Sequence, residues 1–182
     1  MDEQLAFLKS IVSRLNSIHI PYMLTGSMAM AVYAPPRMTR DIDFVIECQP
    51  QDAERLAKLF ESDSYVDVGS IREAATQRSM FNIIHNKWII KADFIVRKGD
   101  EYREEEFGRR RPFDVEGTTI YVVTPEDLIL SKLVWSRESS SELHLRDTRA
   151  IIDNVTNLDW AYLERWAVAL CVAQLLHEVR HG

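Results

Sequence analysis

Only two cysteines, six glycines and six prolines occur in 182 residues, and the scarcity of each rules against particular kinds of protein. Cys48 and Cys171 stand far apart in apolar surroundings without metal-ligand spacing, which argues against a disulfide scaffold or a cysteine zinc site and predicts free thiols in a reducing compartment. The longest apolar stretch, near Trp166 to Ala173, falls far short of the roughly 18 residues of a membrane span. The N-terminus, Met1-Asp2-Glu3-Gln4, is acidic rather than leader-like, so a cytoplasmic protein without a membrane segment is predicted. Positive charge is also scarce: 22 basic residues against 28 acidic ones give a net charge of −6, which disfavours non-specific nucleic-acid binding over a broad surface. Any RNA contact must be local. Arg109-Arg110-Arg111 with Lys132, Arg137, Arg146 and Arg149 is a candidate patch, the alternative being ordinary solvated charges. A hydrophobic content of 46% is enough for one good core, so a compact core with a helical appendage is predicted.

Gly26-Ser27 is followed after 13 residues by Asp41-Ile42-Asp43. The segment Leu24 to Val32 reads as a strand end turning into a short helix, which leaves the amides of Ser27 and Met28 as free donors at a helix N-terminus. Gly26 lets the backbone approach an anion. Asp41 to Ile46 alternates like a strand, so Asp41 and Asp43 share a face at roughly 6.6 Å. Like charges at that distance repel by roughly 2 to 3 kcal/mol at an effective dielectric near 20, a cost that a divalent metal would offset. Ile83-Ile84-His85 and Trp88 to Val96 read as a hairpin around Asn86-Lys87, with Ile89, Lys91, Asp93 and Ile95 on one side of the second strand. Asp93 is costly among such neighbours unless paired or ligated. Three carboxylates on adjacent strands beside a phosphate-binding turn fit two-metal phosphoryl transfer.

These residues resemble the nucleotidyltransferase superfamily with the DNA polymerase β fold, whose pattern is hydrophobic-Gly-Gly/Ser, a gap of about ten residues, Asp-x-Asp/Glu and a later lone Asp. Leu24-Gly26-Ser27, Asp41, Asp43 and Asp93 fill those places. Downstream, Thr124 to Leu133 and then His144-Leu145-Arg146-Asp147-Thr148-Arg149 are similar to the small bacterial abortive-infection toxins of AbiEii type, in which a helical Lys and a later Arg/Lys-Asp accompany the acidic pair; here these map to Lys132 and Asp147. Arg37-Met38-Thr39-Arg40 is also typical of that group. The resemblance implies an α/β (α+β) fold with a small mixed β-sheet flanked by helices, divided into a nucleotidyltransferase core over 1–123 and a helical part over 124–182. It implies Mg2+ or Mn2+ on Asp41, Asp43 and Asp93, with Asp93 also deprotonating the acceptor. Gly26, Ser27, Thr39, Arg40 and Lys132 would hold the NTP, with ATP among the candidates, and Lys132 and Asp147 complete the catalytic set. Implied partners are an acceptor such as a tRNA 3′ end, an antibiotic or a protein side chain, and a cognate antitoxin.

The pass along the chain predicts helices over 2–19, 51–61 and 70–80, a charged and exposed helix and loop over 101–111, and a strand pair around Glu116-Gly117. Thr124-Pro125-Glu126-Asp127 is a strong helix start. On that helix Lys132 sits on the apolar stripe with Leu128 and Trp135, as a phosphate contact or as a snorkelling lysine. Asp147 neighbours Ile151 on the next helix, and a final helix spans 159–181. Two other functions compete. One is a catalytically silent, antitoxin-like binding partner. The other is a zinc hydrolase built on His177-Glu178-x-x-His181, although a catalytic zinc needs a third ligand.

Overall fold

The computed structural model describes residues 2–139 and 141–181. Helix α1 (Asp2–Ser17) leads into strand β1 (Tyr22–Thr25), the short helix α2 (Gly26–Met30) and strand β2 (Asp41–Ile46). A 3-10 turn at Pro50–Asp52 precedes α3 (Ala53–Lys58), β3 (Ser64–Tyr65), α4 (Val68–Gln77), β4 (Met80–His85) and β5 (Lys91–Val96). Next come α5 (Glu101–Arg109) and the hairpin β6 (Arg111–Val115) and β7 (Thr118–Val122). The remainder is helical: α6 (Pro125–Ser139), α7 (Glu142–Asn154), α8 (Trp160–Ala169) and α9 (Ala173–His181).

The seven strands among the described residues join one sheet in the order β3-β4-β5-β2-β1-β7-β6. It is mixed, since β2 runs parallel to β5 and β1 parallel to β7 while the other neighbours are antiparallel. Strand alternation gives this sheet two different faces. On one, Ile42, Phe44 and Ile46 are fully buried, and Phe44, Phe94 and Phe81 stack across three strands at centroid spacings of 5.6 and 5.1 Å. Phe7 of α1 and Phe60, which follows α3, close that face against His85 and Phe94. The opposite face carries Asp41, Asp43 and Val45, and α5 and α6 lie against part of it, lining with Val45 and Ile95 a cavity of about 140 Å³.

Helix α6 begins as its sequence predicts. The Thr124 hydroxyl accepts from the Asp127 amide and donates to Asp127 Oδ2. Burial then runs from Pro125 to Val134 on all sides of the helix, against both α2 and the later helices. Four expectations change. The helix read over 159–181 is two helices, broken after Leu170, where Cys171 adopts φ +57°. The β4–β5 connection is longer than the two-residue turn at Asn86-Lys87, because Ile89 sits at φ +53° and the second strand starts only at Lys91. The helix read to Met80 ends at Gln77 in a left-handed Arg78 cap, which frees Met80 to start β4. Finally, α5 is not a solvated charge run: Tyr102, Glu106 and Phe107 are buried, and the Glu106 carboxylate takes hydrogen bonds from Arg103 and Ser131.

Candidate active site

Strand register builds the centre of the site. Thr25 lies across from Asp43, and Asp43 lies across from Asp93, so two carboxylates meet at the end of β1, where α2 begins. Gly26 turns the chain there with φ +66°, and its α-carbon is so close to the Asp43 carboxylate that a β-carbon would fall 1.9 Å from Oδ2. Only glycine tolerates both the backbone angle and that contact. The Thr25 side chain makes no cap hydrogen bond at the start of α2.

Asp41 is half-exposed, whereas the Asp93 side chain is only 11% exposed. Lys91, paired with Asp41 in the register, donates to Asp93 Oδ2 at 2.7 Å and lies 3.8 Å from Asp41 Oδ1. Asp93 Oδ1 is buried without a hydrogen-bond partner among the described residues. Burial, then the charges of Asp93 and Asp41, push the Asp43 carboxyl up to about 6, against the opposing pull of Lys132 and Lys91. No group of three or more His, Cys, Asp or Glu residues among the described ones closes on a metal-sized space. The donor set still fits a hard divalent cation. It offers carboxylate oxygens, one of them buried and unpartnered, and one acid destabilised by its like-charged neighbours.

A second cluster adjoins the first. Lys132 on α6 is 1% exposed and donates to Asp147 Oδ2 on α7 at 2.6 Å. Arg37, from the loop after α2, donates to both Asp147 oxygens at 2.9 and 3.0 Å and to the Ser27 hydroxyl at 2.6 Å. Lys132, Asp147, Arg37 and Ser27 therefore form one hydrogen-bonded chain that ends on the glycine turn. Its charges respond differently. Burial pulls the Lys132 pKa down more strongly than its bond to Asp147 raises it, and the like charge of Arg37 adds to the fall. Asp147 is held below the usual carboxylate range because two cations outweigh its burial. His144, one turn before Asp147 on α7, packs on Trp135, and burial followed by the Lys132 charge lowers its pKa.

The predicted residues are distributed between these clusters. Gly26, Asp41, Asp43 and Asp93 gather in the first, and Ser27, Lys132 and Asp147 in the second, with Lys132 acting electrostatically on Asp43. The Thr39 hydroxyl folds back on the Asp41 main chain at 3.4 Å, and Arg40 is solvent-exposed beside Asp41. Sequence reasoning placed Thr39 and Arg40 of the Arg37–Arg40 loop in the site but gave Arg37 no role, and it missed Lys91 as a partner of the acids. The Lys91 signal was present in the i, i+2 spacing to Asp93.

The suggested basic patch dissolves into separate structural contacts. Arg109 pairs with Asp127 and Glu126 and lies over Tyr162, Arg110 lies over Phe107, Arg137 caps carbonyls at the end of α8, and Arg146 pairs with Glu142. His177 and His181 lie on α9 with ring centroids 4.6 Å apart and planes tilted by 49°, and no third ligand joins them among the described residues.

The sequence pattern along this site decides the family, for the model described as "Nucleotidyl transferase AbiEii toxin, Type IV TA system" matches residues 11–159. The chain belongs to the AbiEii nucleotidyl transferase family. It is thus a nucleotidyltransferase, as the resemblance of Gly26-Ser27, Asp41, Asp43 and Asp93 implied. No curated protein sequence matches it. Among solved structures, this AbiEii-family chain is similar to the antibiotic-resistance factor ANT(2'')-Ia, with a TM-score of 0.63 at 13% identity over 100% of this chain and 99% of the other. It is similar to the lincosamide antibiotic adenylyltransferase LnuA, with a TM-score of 0.53 at 12% identity over 83% and 98%. A nucleotidyltransferase structure from Thermotoga maritima matches with a TM-score of 0.54 at 17% identity, over 79% and 91%. At such identities the likeness is one of fold, and it agrees with the mixed sheet and flanking helices. No helix among the described residues is long and apolar enough to cross a membrane.

Proposed function

We propose that the chain transfers a nucleoside monophosphate from an NTP, such as ATP, to an acceptor hydroxyl and releases pyrophosphate. The observation that carries this reading is the Asp43–Asp93 register pair packed against Gly26 beside the Lys132–Asp147–Arg37–Ser27 chain. It sets a cation-seeking acidic cluster next to an anion-seeking turn and two cations. Asp41, Asp43 and Asp93 would hold Mg2+ or Mn2+, which supplies charge neutralisation and acidification of the attacking hydroxyl when bound.

The protein's own groups divide the remaining work. Ser27 and the amides after Gly26 hold the triphosphate, with Thr39 and Arg40 on the Asp41 side. The acceptor oxygen forms its bond to the α-phosphorus while Asp93 takes the hydroxyl proton at Oδ1, the oxygen left free by Lys91. The bond from the α-phosphorus to the bridging oxygen breaks, and the charge gathered on the departing pyrophosphate is met by Lys132 and Arg37. Asp147 does not touch substrate in this scheme. It is a positioning residue that keeps both cations aimed at the turn.

Family membership supports action as the toxin of a pair with a cognate antitoxin protein, and NTP supply assigns the reaction to the cytoplasm. Candidate acceptors are an RNA such as a tRNA 3′ end, a small molecule of the antibiotic type that ANT(2'')-Ia and LnuA are named for, or a protein side chain. The test is incubation with each labelled NTP and separated RNA, protein and small-molecule fractions. One fraction should be labelled by the native protein and none by the double variant Asp41→Asn with Asp43→Asn. Equal labelling by that variant would overturn the mechanism.

A further inference from the structure

We propose that the acceptor docks on the open half of the acid-bearing sheet face, over β4 and β3, and that this face fits a nucleotide, a flat base carrying phosphate beside the hydroxyl to be modified. The inference rests on the transfer reading above and names the side from which the acceptor arrives and its chemical class. Strand register lays the face out in rows. Asp43 and Asp93 continue into Asn82, Asp41 and Lys91 continue into Ile84 and Tyr65, and Val45 and Ile95 continue into Met80. Helices α5 and α6 lie over the Val45–Ile95 part, but the positions beyond β5 open to solvent: Tyr65 is 62% and Met80 56% exposed, Asn82 is exposed and Ile84 half-buried. Phe81, Ile83 and His85, which alternate with them along β4, are buried. Tyr65 is the cross-strand partner of Ile84, and Met80 and Ile84 flank Asn82 along β4. The result is a contiguous apolar patch around one amide, which marks a binding surface of the kind on which flat bases stack.

Position and charge decide the occupant. Asn82 is the register partner of Asp93, whose Oδ1 takes the acceptor proton in the scheme above, so a hydroxyl delivered there brings its substituents over Asn82, Met80 and Ile84. Tyr65 stands two strands beyond β5, roughly 10 Å away, the span of one or two nucleotides. The chain has a net charge of −6, yet between residues 78 and 98 Arg78, Lys87, Lys91, Arg97 and Lys98 stand against the single acid Asp93. Arg97 is paired with Glu47, but Lys87 is exposed in the β4–β5 connection and Lys91 is 38% exposed beside the triad. Phosphates approaching this face therefore meet positive charge. A polycationic antibiotic would seek carboxylates instead, and Tyr65, Met80, Asn82 and Ile84 supply none.

The test is fluorescence polarisation of a short labelled single-stranded RNA with the folded chain and Mg2+, without NTP, using a free nucleoside monophosphate as competitor. The native protein should bind the RNA, more weakly as salt rises. Tyr65→Ala should weaken binding at least about fivefold, the scale of losing one base stack, and Asn82→Ala by about threefold or more. Tyr65→Phe keeps the ring and should stay within about twofold. All three positions changed are exposed side chains, so the variants should fold, which circular dichroism checks, and NTP binding should be unchanged. Displacement by the monophosphate would assign the face to a free nucleotide, and resistance to it would assign the face to the end of a strand. Absence of binding to either, or binding that Tyr65→Ala and Asn82→Ala leave within about twofold, would overturn the proposal. Labelling of a protein or an antibiotic with a KM unmoved by these variants would overturn it while the transfer reading stands. Tyr65-dependent RNA binding with no labelling of any fraction would sink the transfer reading and leave this face a nucleotide-binding surface.

Discussion

The Asp43 carboxylate rests against the α-carbon of Gly26, leaving no room for a side chain there: a β-carbon would lie 1.9 Å from Oδ2. The same glycine has φ +66°. Gly26→Ala is therefore expected to pay twice, once in backbone strain and once in displacing a reacting-site acid. Unfolding in denaturant should show a loss of about 1 to 3 kcal/mol. Turnover should fall further than that loss explains, since displacement of Asp43 disturbs the cluster directly. A variant with native turnover would show that the contact is not needed for the site.

Asp43 also makes metal-free stability depend on pH in an unusual direction. Burial and the charges of Asp93 and Asp41 raise its carboxyl from 3.8 to about 6 in the folded chain. The folded state then holds this proton more tightly than the unfolded state, so the contribution is complete below about pH 4 and is lost as pH rises to about 6. The loss is at most about 3 kcal/mol. In chelator, Asp43→Asn should match the native protein near pH 4 and become relatively more stable by pH 7. Added Mg2+ should restore the native protein and leave the variant unmoved. Parallel curves for the two proteins from pH 4 to pH 7 would remove the charge-repulsion account of this cluster.

The sequence made the acidic centre legible because two simple periods met in it. Alternation along β2 and β5 placed Asp41, Asp43 and Asp93 on one face, and the glycine turn at the end of β1 lay opposite. Lys132 and Asp147 were legible for another reason, since charges on apolar helix stripes invite a partner, and they proved to be partners of each other. Arg37 was not readable in the same way. Its loop after Pro35-Pro36 has no period, and its partners are 110 residues away on α7 and 10 away on α2. The break at Cys171 escaped notice because the apolar pattern runs through Leu170 to Ala173 without a glycine or proline. The buried face of α5 was hidden by its charges. Glu106 and Arg103 look solvated in a sequence, yet Glu106 is buried and Arg103 half-buried, both bonded to Ser131.

Arg37 holds three hydrogen bonds to other elements at once, two to Asp147 and one to Ser27, besides one to the neighbouring Met38 carbonyl, which uses the fork of a guanidinium. Arg37→Lys keeps the charge and loses the fork. Losing one or more charge-assisted bonds should raise the KM for the NTP by about tenfold. Arg40→Ala, which removes a solvent-screened cation beside Asp41, should raise it by no more than about threefold. Steady-state kinetics on the labelled acceptor separates the two, and an Arg37→Lys variant with native KM would show that Ser27 needs no positioning from this side.

The Lys132–Asp147 pair should respond asymmetrically when either partner is removed. Asp147→Ala leaves Lys132, 1% exposed, without its carboxylate, and an uncompensated buried charge typically costs about 3 to 5 kcal/mol. Lys132→Met leaves Asp147 still bonded to Arg37 and fills the space with an apolar chain of similar length, so its cost should stay near 1 kcal/mol. Activity should divide the other way. Because Asp147 is held below the usual carboxylate range by both cations, its stabilising contribution is present at neutral pH and is lost only as pH falls through that range. Lys132→Met at pH 7 is then a folded protein lacking one cation for the leaving pyrophosphate, and its turnover should drop at least about a hundredfold, the scale for losing one preorganised electrostatic group. If instead Lys132→Met were as unstable as Asp147→Ala and the surviving folded fraction turned over at the native rate, the lysine would be only a structural tie between α6 and α7, and Arg37 alone would face the phosphates.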